Sequence, residues 1–215
     1  MSTGVAKLKG ARAEAMAETR AALLKAGAAL FAAQGLDGPS LDAICERAGF
    51  TRGAFYVHFR DREDFLVEVM EREGAPLLDA VLGAAGGEPV GLTGVVERFL
   101  ESVASGAYPL TRRGGPKPHQ LMDACARSKK LRARYVALLA ETVTRLTAVI
   151  ARSQRSGEVR AGVDAEAVAT TLLAAVIGAQ TMLELGAPLD LAGAGGALLA
   201  LLAGDSKPPP RRRAR

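Results

Sequence analysis

Arg52, Gly53, Tyr56 and His58 fall inside the stretch GFTRGAFYVHFRDREDFL, residues 49–66. An arginine can clamp a phosphate or read a guanine edge through two parallel N–H bonds, and a glycine lets the backbone come close to a ligand. A tyrosine hydroxyl can donate to a phosphate oxygen. Carried outward on one helix, these residues suit the groove of a duplex. Enzyme chemistry is not suggested. His58 and His119 are isolated, neither Glu-x-x-His nor His-Glu-x-x-His occurs, and no glycine-rich phosphate loop follows a strand. The chain is therefore read as a protein that is not an enzyme, with no cofactor and no metal site.

The same stretch holds five of the chain's nine aromatic residues, Phe50, Phe55, Tyr56, Phe59 and Phe65. Phe55 and Phe59 are four apart and share a helix face, which is expected to pack inward. Thr51 is the N-cap candidate, with Phe50 before it and Phe55 inside the helix placed to form a hydrophobic staple. Upstream, Ser40 can cap a short helix with Leu41, Ile44, Cys45 and Ala48 on one face, ended by Gly49. Two short helices joined by a tight glycine turn make a helix-turn-helix. Ser40 and Thr51 then lie at helix N-termini, where free backbone N–H groups attract phosphate. A first helix is predicted over Glu14–Gln34 through Met16, Leu23, Leu24, Gly27, Leu30 and Phe31. Asp61 is expected to cap a longer helix reaching about Leu82. A well-packed helical corner with a surface Arg–Tyr pair meets the same pattern, and periodicity does not choose between the two.

Ala, Leu, Glu and Arg dominate the 215 residues while β-branched and aromatic residues are few, which predicts an all-α fold. A formal charge of +5 and a pI near 9.5 are compatible with an anionic partner. Cys45 and Cys125 form no metal or redox motif and are read as buried thiols. The first twenty residues lack the apolar core of a secretory signal, and the expected compartment is the cytoplasm. Val168–Leu185 is apolar but broken by Thr170, Thr171, Gln180, Thr181 and Glu184, so it is read as a buried helix and not a membrane span. Further helices are predicted over Leu92–Gly106, His119–Arg127, Lys129–Arg155, Asp164–Leu185 and Leu189–Ala203. A flexible break is expected over Gly83–Gly91 and an irregular loop over Gly106–Pro118.

Residues Thr19–Met70 resemble the N-terminal domain of TetR-family transcriptional regulators, on the run ALFAAQGLDGPSLDAICERAGFTRGAFYVHFRDREDFL. The resemblance implies a three-helix DNA-binding domain followed by a larger helical domain for ligand binding and dimerisation. The corresponding division is a basic arm at 1–13, a helix-turn-helix domain at 14–66, a second domain at 67–204 and a disordered basic tail at 205–215. It also implies that Thr51–His58 is the recognition helix, with Arg52, Gly53 and Ala54 near bases and Tyr56, His58 and Arg62 on phosphates. Asp42 departs from the basic or neutral residue often found at its position; an acid there is expected to point aside or cap its own helix.

The implied partners are double-stranded operator DNA, a small and mainly apolar effector, and a second copy of the chain through the last two helices. Phe99, Val103, Met122, Tyr135, Leu139, Gln180 and Met182 are the candidates for lining the effector pocket. Lys7, Lys9 and Arg12 could form an arm into a neighbouring groove, or a solvated leader, and Arg211–Arg215 could add sequence-independent affinity. The implied function is a ligand-responsive transcriptional regulator, read as a repressor. A helical protein-interaction module is the alternative, and a helical enzyme a more remote one.

Overall fold

A computed structural model describes the backbone of residues 2–83, 90–108 and 117–204, and the side chains of these except 2–9 and 77. Most of the Gly83–Gly91 break, most of the Gly106–Pro118 loop, the basic tail, and the side chains of Lys7 and Lys9 therefore lie outside the described residues.

The described helices are α1 (Ser2–Gln34), α2 (Leu41–Ala48), α3 (Arg52–His58), α4 (Arg62–Leu82), α5 (Leu92–Ala104), α6 (Pro118–Arg127), α7 (Lys129–Ser156), α8 (Ala165–Glu184) and α9 (Leu191–Leu202). Among the described residues there is no strand, and the one β pairing is an isolated antiparallel bridge between Val159 and Ala203. The fold is the expected all-α one, and each predicted helix lies within a few residues of an observed one. The exception is α1, which begins some three turns before Glu14. Alanine and lysine near its start favour the helix. Residues 10–18 are all exposed.

The caps follow the sequence closely. Ser40 Oγ accepts from Ala43 N at 3.1 Å, Thr51 Oγ1 from Ala54 N at 3.3 Å, and Asp61 Oδ1 from Asp64 N at 2.7 Å. Each satisfies an N–H that the first turn of a helix leaves without a partner. Gly49 ends α2 at φ 78°, the left-handed conformation that glycine adopts without penalty.

By packing, the chain divides into two compact units. The first comprises residues 1–77 with 106–138 and the second 78–105 with 139–215. This division cuts across the linear one at residue 66, because α6 and the start of α7 pack with the helix-turn-helix. In the first unit, Leu23, Leu30, Phe31, Ile44, Phe55, Phe59 and Phe65 share one buried core with Leu121, Cys125 and Leu131. Ion pairs fasten the same elements: Lys130 to Asp64, Arg127 to Asp37 at 2.6 Å and Arg134 to Glu71 at 2.6 Å, while the Ser128 hydroxyl donates to Glu63. Both cysteines are free and buried here, as expected. Burial pushes each thiol pKa up, so neither is a ready nucleophile.

In the second unit, Leu92, Val95, Leu146, Val149, Ile150, Val159 and Leu172 are buried. The first turn of α5 is capped from a distance, Leu92 N donating to Ser153 Oγ at 2.9 Å and Thr93 N to Glu158 Oε1 at 2.7 Å. Burial alone would raise the Glu158 pKa, but hydrogen bonds from Thr93, Ser153 and Leu92 outweigh it and hold the carboxyl below its ordinary value. The expectation that Val168–Leu185 is a buried helix fails within the single chain. Only Ala169, Leu172 and Gln180 of α8 are buried, and Leu185 beside it is 80% exposed. By length and composition alone, α8 is also apolar enough to cross a membrane. Much of its apolar surface is left uncovered by the described residues.

Gly27 has the most demanding place in the first core. A Cβ there would lie 2.5 Å from Phe65 Cε1, and Phe65 is fully buried against Phe31, Phe55 and Phe59. The ring has nowhere to move. Gly27→Ala is expected to destabilise the first unit by about 1–3 kcal/mol despite alanine's better helix propensity. Thermal denaturation followed by circular dichroism checks this, and an unchanged or higher melting temperature would contradict it.

Candidate functional site

α3 has only seven residues, which by itself is far too short to be stable in water. Its inward face supplies the missing stability. Phe55 and Phe59 lie 5.1 Å apart between ring centroids, and Phe65 from α4 sits 5.2 Å from Phe55 and 4.8 Å from Phe59. Phe31 of α1 completes the group 6.1 Å from Phe65. Phe50, the expected staple residue, is half-buried against the same core.

With that face fixed, the other side of α3 presents Arg52, Gly53, Tyr56 and Val57 to solvent, Tyr56 at 53% and Val57 at 66% exposure. The structure thus brings Arg52, Gly53 and Tyr56 onto one outward surface. Val57 was not among the residues singled out from the sequence. Its position four residues after Gly53 was the available signal, because Gly53, Tyr56 and Val57 lie together on a helical wheel. Ala54 is half-buried, as is His58, whose ring lies 6.3 Å from that of Phe59. Ser40 and Thr51 are exposed, and their hydroxyls are occupied by the capping bonds.

Two charged residues are placed differently from expectation. Asp42 neither points aside nor caps α2, since Ser40 is the cap. Its Oδ1 lies 3.4 Å from Arg52 Nε, where an opposite charge offsets the acid. The Tyr56 hydroxyl, hydrogen-bonded to Arg52, and then Asp42 hold the Arg52 guanidinium pKa above its ordinary value. Arg62 is turned inward. It donates to Pro39 O at 2.5 Å and to Leu36 O at 2.9 Å, with its guanidinium 5.6 Å from the Phe31 ring centre. That is the placement of a tie on the α1–α2 turn and not of a free cation waiting for phosphate.

The residues suggested for an effector pocket belong to both units. Tyr135 packs against the first unit's core, where burial raises its phenol pKa, and Met122 of the same unit is 46% exposed. In the second unit, Gln180 is buried, Phe99, Val103 and Leu139 are half-buried, and Met182 is exposed. Among the described residues, no group of three or more His, Cys, Asp or Glu side chains is arranged to hold a metal ion.

Comparison with known proteins places both halves of the chain. Residues 23–69 match the family model described as bacterial regulatory proteins of the tetR family, and residues 92–194 match the tetracyclin repressor-like C-terminal domain. The chain is 44% identical over 54 residues to the HTH-type transcriptional regulator AcrR of Shigella flexneri, which covers 25% of each chain. It is 38% identical over 78 residues to the HTH-type transcriptional repressor BepR of Brucella suis, covering 36% of this chain and 37% of that one. The matches to these relatives thus span only about a quarter to a third of their length. Among solved structures, a SmeT–triclosan complex superposes with a TM-score of 0.66 at 24% identity, covering 87% of this chain and 93% of that one. SmeT is described as the repressor of a Stenotrophomonas maltophilia multidrug efflux pump. At that identity the likeness establishes the fold.

The inward ties of Arg62 separate its role from that of Arg52. Arg62→Ala leaves two loop carbonyls without their charged donor and is expected to cost about 1.5–3 kcal/mol of stability. Arg52→Ala, at an exposed position, is expected to leave the melting temperature within a degree or so of the parent. Equal melting temperatures for the two variants would contradict this assignment.

Proposed function

The chain belongs to the TetR family of bacterial regulatory proteins, and from that membership we propose that it is a ligand-responsive transcriptional repressor that binds operator DNA as a homodimer. The observation that carries the proposal is the outward face of α3. Arg52, Gly53, Tyr56 and Val57 project from a helix that a buried aromatic cluster holds still. Arg52 and Gly53 are assigned to base edges, together with Ala54 at the margin, and Tyr56 and His58 to the phosphate backbone. Ser40 and Thr51 contribute through the backbone amides of the turns they cap. Arg62 supports the site by holding the turn before α2.

The dimer is assigned to α8 and α9. Their uncovered leucines and small residues, with Leu201 at 68% exposure, suit close helix-to-helix packing with a second copy. On this reading the uncovered length of α8 is an interface and not a membrane span, and the protein works in the cytoplasm beside its DNA. The effector is a small, mainly apolar molecule. The triclosan bound by SmeT is of that chemical kind, and Phe99, Val103, Met122, Tyr135, Leu139, Gln180 and Met182 remain the proposed lining. Effector binding is proposed to shift the spacing of the two recognition helices through α4 (Arg62–Leu82), where Pro76 lacks the N–H that would bond to the preceding turn. A coupling of about 1–3 kcal/mol would change operator affinity five- to over a hundredfold.

Gel shifts against DNA flanking the gene test the DNA reading. Specific binding is expected, falling steeply with salt, with Arg52→Ala and Tyr56→Phe each weakening it severalfold or more. Absence of specific binding at low salt, or unchanged binding by both variants, would sink it. Light scattering at micromolar concentration is expected to give a dimer mass, and a monomer would overturn the assignment of α8 and α9. A thermal-shift screen of apolar compounds is expected to yield a stabilising ligand, which would then release DNA in the gel shift.

A further inference from the structure

Asp42 sets a carboxylate against the outward face of α3, where a surface that only gathers phosphates has no use for one. Its Oδ1 is 3.4 Å from Arg52 Nε, and both side chains are more than half exposed. An exposed pair of this kind contributes little to stability. Nor is Asp42 needed as a cap, because Ser40 performs that task. What the pair changes is the chemistry open to Arg52. The guanidinium carries five N–H donors in a rigid planar fork. Asp42 lies on its Nε side at 3.4 Å, which biases the fork toward one orientation before any ligand arrives.

The acid also discriminates between the two kinds of acceptor that a duplex offers. A phosphate docking on Arg52 would bring a second anion beside Asp42, well within the roughly 10 Å over which charges act at about 0.1 M salt. The N7 and O6 atoms of guanine are neutral acceptors and carry no such penalty. We propose that Asp42 is a specificity-determining positioning residue, which aims Arg52 at a base edge and keeps phosphate off it. Asp42 thereby weakens binding to unrelated DNA more than binding to the cognate site. The inference rests on the reading of α3 as the DNA-reading helix.

The test uses the full chain and its Asp42→Ala, Asp42→Asn, Arg52→Ala and Asp42→Ala/Arg52→Ala variants. Binding is measured by fluorescence anisotropy to a duplex selected in vitro on the parent protein and to a scrambled duplex of equal length, across a salt series. Both Asp42 single variants are expected to bind the scrambled duplex about tenfold more tightly at low salt, with a salt slope steeper by roughly 0.9 for each Arg52 freed to neutralise a phosphate. Their preference for the selected duplex shrinks accordingly. In the Arg52→Ala background, removing Asp42 is expected to leave the preference where it was. Asp42→Asn keeps the size of the side chain, so melting temperatures equal to the parent's exclude misfolding as a cause.

The proposal is overturned if the Asp42 variants weaken both duplexes in equal proportion, or leave preference and slope unchanged. It is overturned equally if the preference changes as much without Arg52 as with it. A parent protein showing no preference for the selected duplex would sink the DNA reading itself. A clear parental preference that ignores Asp42 would sink only this inference.

Discussion

A helix of seven residues cannot hold itself, and α3 stands because four phenylalanine rings close around one another beneath it. Phe65 is the hub, packing against rings from α1, from α3 and from Phe59, the residue that ends α3. Everything about the outward face depends on that contact. If the rings shift, Arg52 and Tyr56 lose their common direction, and the base contact proposed for Arg52 would tolerate little such error. The cluster in turn dictates Gly27, since the ring of Phe65 fills the space where a side chain would start. A fixed pose for the smallest helix thus reaches back into the composition of the longest.

The charges around the cluster divide into those that hold and those that face outward. Arg20 lies 5.3 Å over the Phe59 ring and pairs with Glu68, while Arg62 lies over Phe31 and ties down the turn before α2. Both spend their charge on the scaffold. Arg60, two residues before Arg62, is largely exposed and pairs with Asp61 and Asp64 at the start of α4. Only Arg52 faces outward from α3 itself, and even it is not free, because Asp42 stands opposite. A count of basic residues in this stretch therefore overstates what is available to an anionic ligand.

Local signals were legible in the sequence, and distant pairings were not. Ser40, Thr51 and Asp61 announce helix starts, and Gly49 a stop, because caps depend on residues three or four positions away. The inward and outward sides of α3 follow from the same spacing. The Arg62 bonds to Leu36 and Pro39 span more than twenty residues, and the approach of Asp42 to Arg52 depends on the angle between two helices. Neither distance is written in a periodicity. The misreading of α8 as buried has a different origin. Hydropathy records that a helix needs covering, and it is silent on whether the cover belongs to the same chain.

Two incomplete features of the single chain ask for the same completion. A good bidentate contact is worth about 1–3 kcal/mol of discrimination, whereas specific recognition of DNA typically needs about 4–10 kcal/mol over unrelated sequence. One α3, with one outward arginine, falls short of that. α8 separately leaves apolar surface uncovered, with only three positions buried along twenty residues. Under the proposed dimer a second copy answers both demands, since pairing the α8 and α9 faces would remove the exposed leucines from water and the second copy carries a second α3. In that proposed assembly the second reading head reaches the DNA as an intramolecular event, so part of the entropy of its association is met by the apolar interface and not by its base contacts.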